Sequence, residues 1–162
     1  MSTTARTNAG RLVTRSTTAG YTCAPSCQAY SEVMPEPGPH PFRIAVEARD
    51  LDAMVELLHP DVRLYSPVAF TPFVGHAQVR ELFTNLLEVF ENFHYTDELA
   101  GDGSHALIFA AHIGDVQVQG LDHLVMDGDG LVAELTVMVR PLSAAIRLAE
   151  AMAPRVGHLP KG

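Results

Sequence analysis

An acidic residue, Asp122, lies inside an apolar run of the sequence, and its position raises the question of what chemistry it could do. In the stretch GLDHLVMDGDGLVAELTVMVRPL, alternate residues of an extended strand share one face, so Asp122 is grouped with Gly120, Leu124 and Met126. An ionised carboxylate among apolar side chains loses its hydration, which costs several kcal/mol, or roughly a few pKa units, unless it is paired. A carboxyl group held in this way is a candidate acid, base or hydrogen-bond donor.

Turn signals on either side of this strand predict its register. If the GD dipeptide ahead of the strand forms a two-residue hairpin turn, Leu107 lies opposite Asp122. Across the following DGDG turn, pairing Met126 with Leu131 places Leu135 opposite the same acid. The cross-strand neighbours are then apolar and offer no hydrogen-bond donor, although a β-bulge would reverse the face. Two interpretations stay open: a structural Asp satisfied by backbone amides or a tyrosine hydroxyl, and an acid kept for chemistry.

The elements that must position this acid begin near residue 40. Residues 1–39 are rich in Thr, Ser, Ala, Gly and Pro and show no hydrophobic period, so we expect a disordered N-terminal extension. Its CAPSC motif predicts free thiols rather than a zinc site, because no second Cys or Cys/His pair follows at a suitable spacing. Residues 40–155 are expected to form one domain, and residues 156–162 a flexible tail.

Within that domain, helical and strand patterns alternate. Apolar stripes predict helices in PFRIAVEA, in DLDAMVELLHP up to Pro60, and in HAQVRELFTNLLEVFENF. DVRLYS alternates as a short strand, whereas PVAFTPFVG is expected to be a loop. Four strand-like runs follow, joined by GDGS, GD and DGDG, and Ser143 is expected to cap a last short helix. The order predicts an α+β fold, with a curved, mostly antiparallel sheet packed against three helices plus a short C-terminal helix.

Composition excludes several classes of function. The chain has 162 residues, 47% of them hydrophobic and 19% charged, as expected for one globular domain. Its formal charge of −8 argues against nucleic acid and anionic membranes as partners. No apolar run approaches the roughly 20 residues that a spanning helix needs, and the first residues do not form a secretory signal. We therefore expect a cytoplasmic protein with no nucleic-acid partner, no membrane attachment, no metal and no cofactor.

In layout and in motifs, residues 40–154 resemble the SnoaL-like branch of the nuclear transport factor 2-like superfamily, which includes polyketide cyclases, ketosteroid isomerases and limonene-epoxide hydrolases. The resemblance rests on ARDLDAMVELLHPDVRLYSP, on the helix entry PFVGHAQVRELF and on GLDHLVMDGDGLVAELTVMVRP, taken in that order and spacing. It implies a cone-shaped fold around an apolar pocket and a homodimer through the outer face of the sheet. The predicted strand pairing places on that face His112, Gln117, Gln119 and His123.

The resemblance also implies a role for Asp122 and argues against two activities. Asp122 falls on the neutral oxyanion-hole aspartic acid of ketosteroid isomerases. Their general-base aspartate aligns with Ser66 and their oxyanion tyrosine with Phe42, so steroid isomerisation is not expected. The Asp–Arg–Asp group of limonene-epoxide hydrolases is absent too, with Val137 at one Asp position, which argues against a hydrolase. Asp122 instead looks like the acid that serves as proton acceptor in SnoaL-like cyclases.

Two functions remain open at this point. In the first, the protein is an isomerase- or cyclase-type enzyme in which Asp122 is catalytic and moves a proton beside the carbonyl of a hydrophobic small molecule. In the second, it is a non-catalytic module that binds a hydrophobic ligand or a partner, because the inner face shows no second polar group. In either case the expected substrate-binding residues are Ser66, Phe70, Phe73, Leu107, Phe109, Leu124 and Leu135.

Overall fold

The computed structural model describes residues 38–159, which form four helices and six strands. The helices are α1 (Pro41–Glu47), α2 (Leu51–Glu56), α3 (Gly75–Val89) and α4 (Leu142–Val156). The strands are β1 (Leu58–Ser66), β2 (Ala69–Val74), β3 (Glu91–Gly101), β4 (Ser104–Ile113), β5 (Val116–Met126) and β6 (Val132–Arg140). The predicted α+β class is therefore confirmed.

One open, mixed sheet contains all six of these strands in the order β2-β1-β6-β5-β4-β3. β1 and β6 run parallel, and every other neighbouring pair in the sheet is antiparallel. Helix α1 contacts β3, α2 contacts β1, α3 contacts β1 and β2, and α4 contacts β4, β5 and β6. The apolar side chains of the helices and of the inner face of the sheet form one continuous core.

Side-chain caps start the two short helices. The Nδ1 atom of His40 accepts a hydrogen bond from the N–H of Phe42 at 3.2 Å, and Pro41 occupies the first helical position. The predicted N-cap of α2 is confirmed, since the carboxylate of Asp50 accepts the N–H of Ala53 at 3.0 Å. Each cap satisfies an N–H that has no partner inside its helix.

Two predictions based on proline are wrong. Pro60 does not end a helix; it lies inside β1, where the pairing with β6 is irregular between Leu58 and Arg63. The stretch predicted as a loop contains β2, which pairs with β1 although it includes Pro72. β2 is the edge strand of the sheet, and an edge position tolerates a residue that cannot donate a ladder hydrogen bond.

The C-terminal helix α4 is as long as α3, rather than short. It begins at Leu142 with Pro141 in the capping position, so the predicted cap by Ser143 is wrong, and it continues through Pro154. The apolar stripe of Ala144, Leu148 and Met152 packs on the core.

The folded domain extends beyond the predicted C-terminal boundary at residue 155, and only residues 38 and 39 of the predicted N-terminal extension are described. Residue 156 ends α4 and Leu159 is buried, so residues 156–159 of the predicted tail continue the folded domain. Residues 1–37, with Cys23 and Cys27, and residues 160–162 lie outside the described part of the chain, so the disorder predicted for them stays a prediction. Within residues 38–159, no helix is both long enough and apolar enough to cross a membrane.

Candidate functional site

Asp122 faces the core from β5, as the predicted hairpin requires. β4 and β5 pair without interruption, with Ile113 opposite Val116 at the turn and Leu107 opposite Asp122 further along. Leu107 is completely buried and Asp122 is 8% exposed. The predicted position of the acid on the inner, apolar face of the sheet is confirmed.

The predicted pairing on the other side of Asp122 is wrong in detail. Val137, rather than Leu135, lies opposite Asp122 on β6. One cause is the turn between β5 and β6, in which the carboxylate of Asp127 accepts the N–H of Leu131 at 2.9 Å and the N–H of Asp127 donates to the Leu131 carbonyl at 2.8 Å. Leu131 therefore closes the turn, and Met126 pairs with Val132 instead. The pairing is also irregular between Val125 and Met126, which shifts the partner of Asp122 by one further residue. Because Val137 and Leu135 are two residues apart, they share a face, and the acid still faces apolar neighbours.

The hydroxyl group of Tyr95 donates a hydrogen bond of 2.6 Å to Oδ2 of Asp122. Tyr95 belongs to β3 and is 4% exposed, so both partners lie in the core. The expectation that no donor faces Asp122 is therefore wrong. The interpretation that a tyrosine hydroxyl satisfies the buried acid describes the observed contact.

A β-bulge explains why the sequence did not point to Tyr95. Asp97 pairs with Ile108, but Tyr95 pairs with Phe109, so Thr96 is an extra residue in β3. Regular pairing continued from Asp97 would place Thr96 opposite Phe109 and Tyr95 opposite Ala110, on the outer face of the sheet, whereas the bulge turns Tyr95 to the inner face. The available signal was the strand pattern from His94 onward together with the GDGS turn, but neither reveals a bulge.

Burial raises the pKa of Asp122 from 3.8 to about 7, because the ionised carboxylate has lost its water. The hydrogen bond from Tyr95 acts in the opposite direction, since it stabilises the charged form. The pKa of Tyr95 is raised well above its ordinary value, first by burial and then by the nearby Asp122 carboxylate. Near neutral pH, the pair therefore consists of a neutral phenol and a carboxyl group that readily gains or loses a proton.

A cavity of about 340 Å³ opens beside this pair, and both Asp122 and Tyr95 line it. Its wall is mostly apolar, and its aromatic members are Phe42, Phe73, Phe83, Phe90, Phe93 and Phe109. Besides the pair, three polar or charged residues line it: Glu47, Arg49 and Ser66. A volume above about 300 Å³ with few polar groups is typical of a site for a small apolar molecule.

The residues predicted to contact a substrate divide into two groups. Ser66, Phe73, Phe109 and Leu135 line the cavity. Three others do not reach it: Phe70 is fully exposed on β2, because strand alternation turns it away from Ala69 and Phe73, whereas Leu107 and Leu124 are completely buried within the core.

Phe109 occupies its place in the cavity wall because its cross-strand neighbour is Gly120. A Cβ atom at position 120 would lie 2.1 Å from Cζ of Phe109 and 2.7 Å from the carbonyl oxygen of Met138. The glycine therefore leaves room for the Phe109 ring, which stacks on Phe93 with 4.9 Å between ring centroids and meets Tyr95 edge-on at 6.4 Å. Gly120 thus determines the aromatic wall next to the pair.

Ser66 and Phe42, which align with the general-base aspartate and the oxyanion tyrosine of ketosteroid isomerases, also line the cavity. Ser66, at the general-base position of ketosteroid isomerases, has its Oγ atom 3.3 Å from the N–H of Val68, which donates to it. Phe42, at their oxyanion tyrosine position, is 1% exposed and tilts against Phe83 with ring centroids 6.0 Å apart. Both side chains face the same cavity as Asp122, but neither carries a titratable group.

Comparison with known proteins is consistent with this architecture. The SnoaL-like domain family matches residues 42–134. No curated protein sequence matches the chain significantly.

Solved structures give closer geometric matches. A steroid delta-isomerase from Pseudomonas aeruginosa is 38% identical, with a TM-score of 0.66 over 70% of this chain and 84% of that one. An uncharacterised protein with a cystatin-like fold from Silicibacter pomeroyi is 25% identical, with a TM-score of 0.69 over 74% and 84%. A protein provisionally described as a SnoaL-like polyketide cyclase from Shewanella denitrificans is 13% identical, with a TM-score of 0.54 over 68% and 93%, and shows the fold alone.

Proposed function

The chain belongs to the SnoaL-like domain family, within the nuclear transport factor 2-like superfamily, and we propose that it is an isomerase- or cyclase-type enzyme acting on a hydrophobic carbonyl compound. The observation that carries the proposal is the Tyr95–Asp122 hydrogen bond of 2.6 Å in the wall of an apolar cavity. A carboxyl group whose pKa lies near 7 is suited to both accepting and returning a proton at neutral pH.

In the proposed reaction, the Asp122 carboxylate removes a proton from a carbon next to the ligand's carbonyl group. The electrons of the broken C–H bond move into the enolate, whose negative charge then lies on oxygen. In an isomerisation, Asp122 returns the same proton to a different carbon of the conjugated system. In a cyclisation, the enolate carbon attacks a second carbonyl of the same molecule and the proton passes to the new alkoxide. Both sequences balance without an oxidant or a cofactor.

Tyr95 has a distinct part in this scheme. Its phenol donates to Oδ2 of Asp122 and so stabilises the carboxylate form. Because its own pKa is raised, Tyr95 keeps its proton through the neutral range. The Ser66 hydroxyl accepts from a backbone N–H, which leaves its own proton free to meet a ligand oxygen.

Exchange of ligand protons with solvent tests the proposal directly. A panel of hydrophobic ketones, including a steroid enone and an aromatic 1,3-diketone, would be incubated with protein in D₂O, and deuterium at the α-carbon followed by mass spectrometry. Ligand-observed NMR would report binding separately, since the chain contains no Trp to serve as a fluorescent reporter. We expect exchange with at least one bound ketone, rising with pH through about 7 as Asp122 ionises.

The matched variants are Asp122→Asn and Asp115→Asn. Asp115 is an exposed carboxylate in the β4–β5 turn, paired with Arg147 at 3.4 Å, and its loss should leave exchange unchanged. Asp122→Asn should slow exchange by roughly 100-fold or more, which is the usual contribution of a general base. Exchange that persists in Asp122→Asn would remove Asp122 from the mechanism.

A second candidate function, binding without turnover, has one observation in its favour. Tyr95 already satisfies Asp122, so the acid has a structural partner and needs no ligand to offset its burial. A ketone that binds in the NMR assay but exchanges no proton with the unmodified protein would favour this hydrophobic-ligand module over the enzyme.

We also propose a homodimer through the outer face of the sheet. Ile108, Leu121 and Met138 lie opposite one another on β4, β5 and β6 and form an apolar row on that face. Met138 is 59% exposed, which is unusual for a large apolar side chain in a central part of a sheet. His123 and Thr136 pair alongside this row.

A further inference from the structure

Two charged residues of α1, Arg43 and Glu47, contact both backbone polar groups of Tyr95. The carboxylate Oε1 of Glu47 accepts the Tyr95 N–H at 3.0 Å, and Nη2 of Arg43 donates to the Tyr95 carbonyl oxygen at 3.2 Å. The two side chains also pair with each other at 3.5 Å across one helical turn. We call this pair of residues the α1 clamp.

Tyr95 needs a restraint of this kind because strand pairing holds it weakly. β3 is the last strand of the sheet, so one side of its backbone has no neighbouring strand. Its pairing with β4 is irregular between Glu91 and His94 and again between Tyr95 and Asp97. Between these two irregularities, only His94 and Tyr95 pair regularly with β4. Strand pairing alone therefore does not fix the position of Tyr95.

The clamp also contacts the Tyr95 side chain and a second anchor. The guanidinium carbon of Arg43 lies 5.8 Å from the centre of the Tyr95 ring, within the range of a cation–π contact. Nη1 of Arg43 is 3.7 Å from a carboxylate oxygen of Glu98, further along β3. Arg43 therefore contacts β3 on both sides of Thr96, at Tyr95 before it and at Glu98 after it. Glu47 adds a second contact at Tyr95.

We propose that Arg43 and Glu47 are positioning residues: they hold the backbone of Tyr95 so that its hydroxyl stays within hydrogen-bond distance of Asp122. This inference rests on the proposed function only for its importance to catalysis. The chain of contacts itself runs from α1 through the bulged edge strand to the buried acid. Loss of the clamp should lengthen the Tyr95–Asp122 hydrogen bond and so withdraw a contact that favours the ionised acid.

The test follows the Asp122 carboxyl group by ¹³C NMR titration, with no ligand and no turnover. Tyr95→Phe removes the hydrogen bond completely and so gives the largest pKa change expected: the pKa of Asp122 should rise by roughly one to two units. Glu47→Ala should raise it in the same direction by at least a third of that shift. Glu47→Gln should leave the pKa of Asp122 at its value in the unmodified protein, because the amide oxygen still accepts the Tyr95 N–H although the charge is gone.

Arg43→Lys provides the second arm, since it keeps the charge but loses the planar group that reaches Tyr95 and Glu98 together. We expect it to raise the pKa of Asp122 as Glu47→Ala does. The control is Arg80→Lys, in an exposed pair with Asp52 at 2.7 Å that does not touch β3, and it should leave the titration unchanged.

Three results would overturn the inference. One is an unchanged pKa of Asp122 in Glu47→Ala with reduced thermal stability, which means that the clamp is merely structural. Another is Glu47→Gln shifting the pKa as far as Glu47→Ala, which assigns the effect to charge. The third is an Arg43→Lys titration like that of the unmodified protein. A different observation bears on the proposed function: if Asp122 in the unmodified protein titrates near the value of a free aspartate, the neutral-pH acid is lost whatever the clamp variants do.

Discussion

Replacing Asp122 by Asn removes the one buried carboxyl group in residues 38–159 whose charge depends on pH near neutrality. The folded-state pKa is raised, so the native protein holds the proton of Asp122 more tightly than the unfolded chain does. Its ionisation therefore costs the folded state nothing below the unfolded pKa of 3.8 and costs progressively more as pH rises through about 7. Asn cannot ionise, so the variant escapes this cost.

The size of the effect follows from the pKa. Since one unit of pKa difference corresponds to about 1.4 kcal/mol, a rise from 3.8 to about 7 costs the ionised protein on the order of 4 kcal/mol of folding free energy. Roughly 2–3 kcal/mol of that cost develops between pH 5 and pH 8. Asn can still accept from Tyr95, but its amide N–H groups face apolar neighbours, which costs about 1–3 kcal/mol at every pH.

Chemical unfolding of both proteins at several pH values from 5 to 8 separates the two contributions. The amide cost is the same at every pH and shifts the variant's whole curve of unfolding free energy against pH. The ionisation cost makes the difference in unfolding free energy between the two proteins depend on pH. We expect the variant to gain on the unmodified protein by roughly 2–3 kcal/mol from pH 5 to pH 8. A difference that stays flat, or a destabilisation by Asn that grows toward high pH, would refute the raised pKa. Asp127→Asn is the control that should stay flat from pH 5 to pH 8, because backbone hydrogen bonds lower the pKa of that exposed carboxylate and its charge does not change over this range.

Three further predictions concern the wall, the outer face and the first helix. Gly120→Ala should lower the free energy of unfolding by about 1–3 kcal/mol and weaken ketone binding, because its Cβ displaces Phe109; unchanged denaturant midpoints would contradict this. Thr136→Lys should convert the proposed dimer to monomer in analytical ultracentrifugation, whereas Thr84→Lys on the exposed face of α3 should not; a monomeric unmodified protein at micromolar concentration would refute the dimer. His40→Asn should remove a loss of stability as pH falls below about 6.5, since burial lowers the pKa of His40 and Asn keeps a capping acceptor; parallel pH profiles of the two proteins would contradict this.

Local signals in the sequence predicted the parts of the fold that depend on neighbours along the chain. The GD turn set the β4–β5 register without error, and with it the inward direction of Asp122. The cap at Asp50 is likewise a local feature and is confirmed. The helix predicted in HAQVRELFTNLLEVFENF is confirmed up to Val89, whereas Phe93 at its predicted end belongs to β3. Each depends on a turn, a cap or a helical period that a few consecutive residues determine.

The remaining features depend on contacts between distant segments, which a single sequence does not reveal. Thr96 is an extra residue in the pairing of β3 with β4, and the resulting register brings Tyr95 to Asp122. Pro72 fits a strand because that strand lies at the edge of the sheet. The candidate acid was therefore predictable, whereas its partner was not.

The bulge at Thr96 has a consequence for how such a protein can change over generations. Tyr95 pairs with Phe109 and Asp97 with Ile108, so deleting Thr96 would restore regular pairing and still leave Tyr95 opposite Phe109, on the inner face. An in-frame loss of this codon would therefore remove the bulge and keep the phenol beside the acid. Regular pairing that retained Thr96 would instead place Thr96 opposite Phe109 and turn Tyr95 to the outer face, away from the acid. In this fold, the register of an edge strand decides which side chains meet, independently of which side chains the gene encodes.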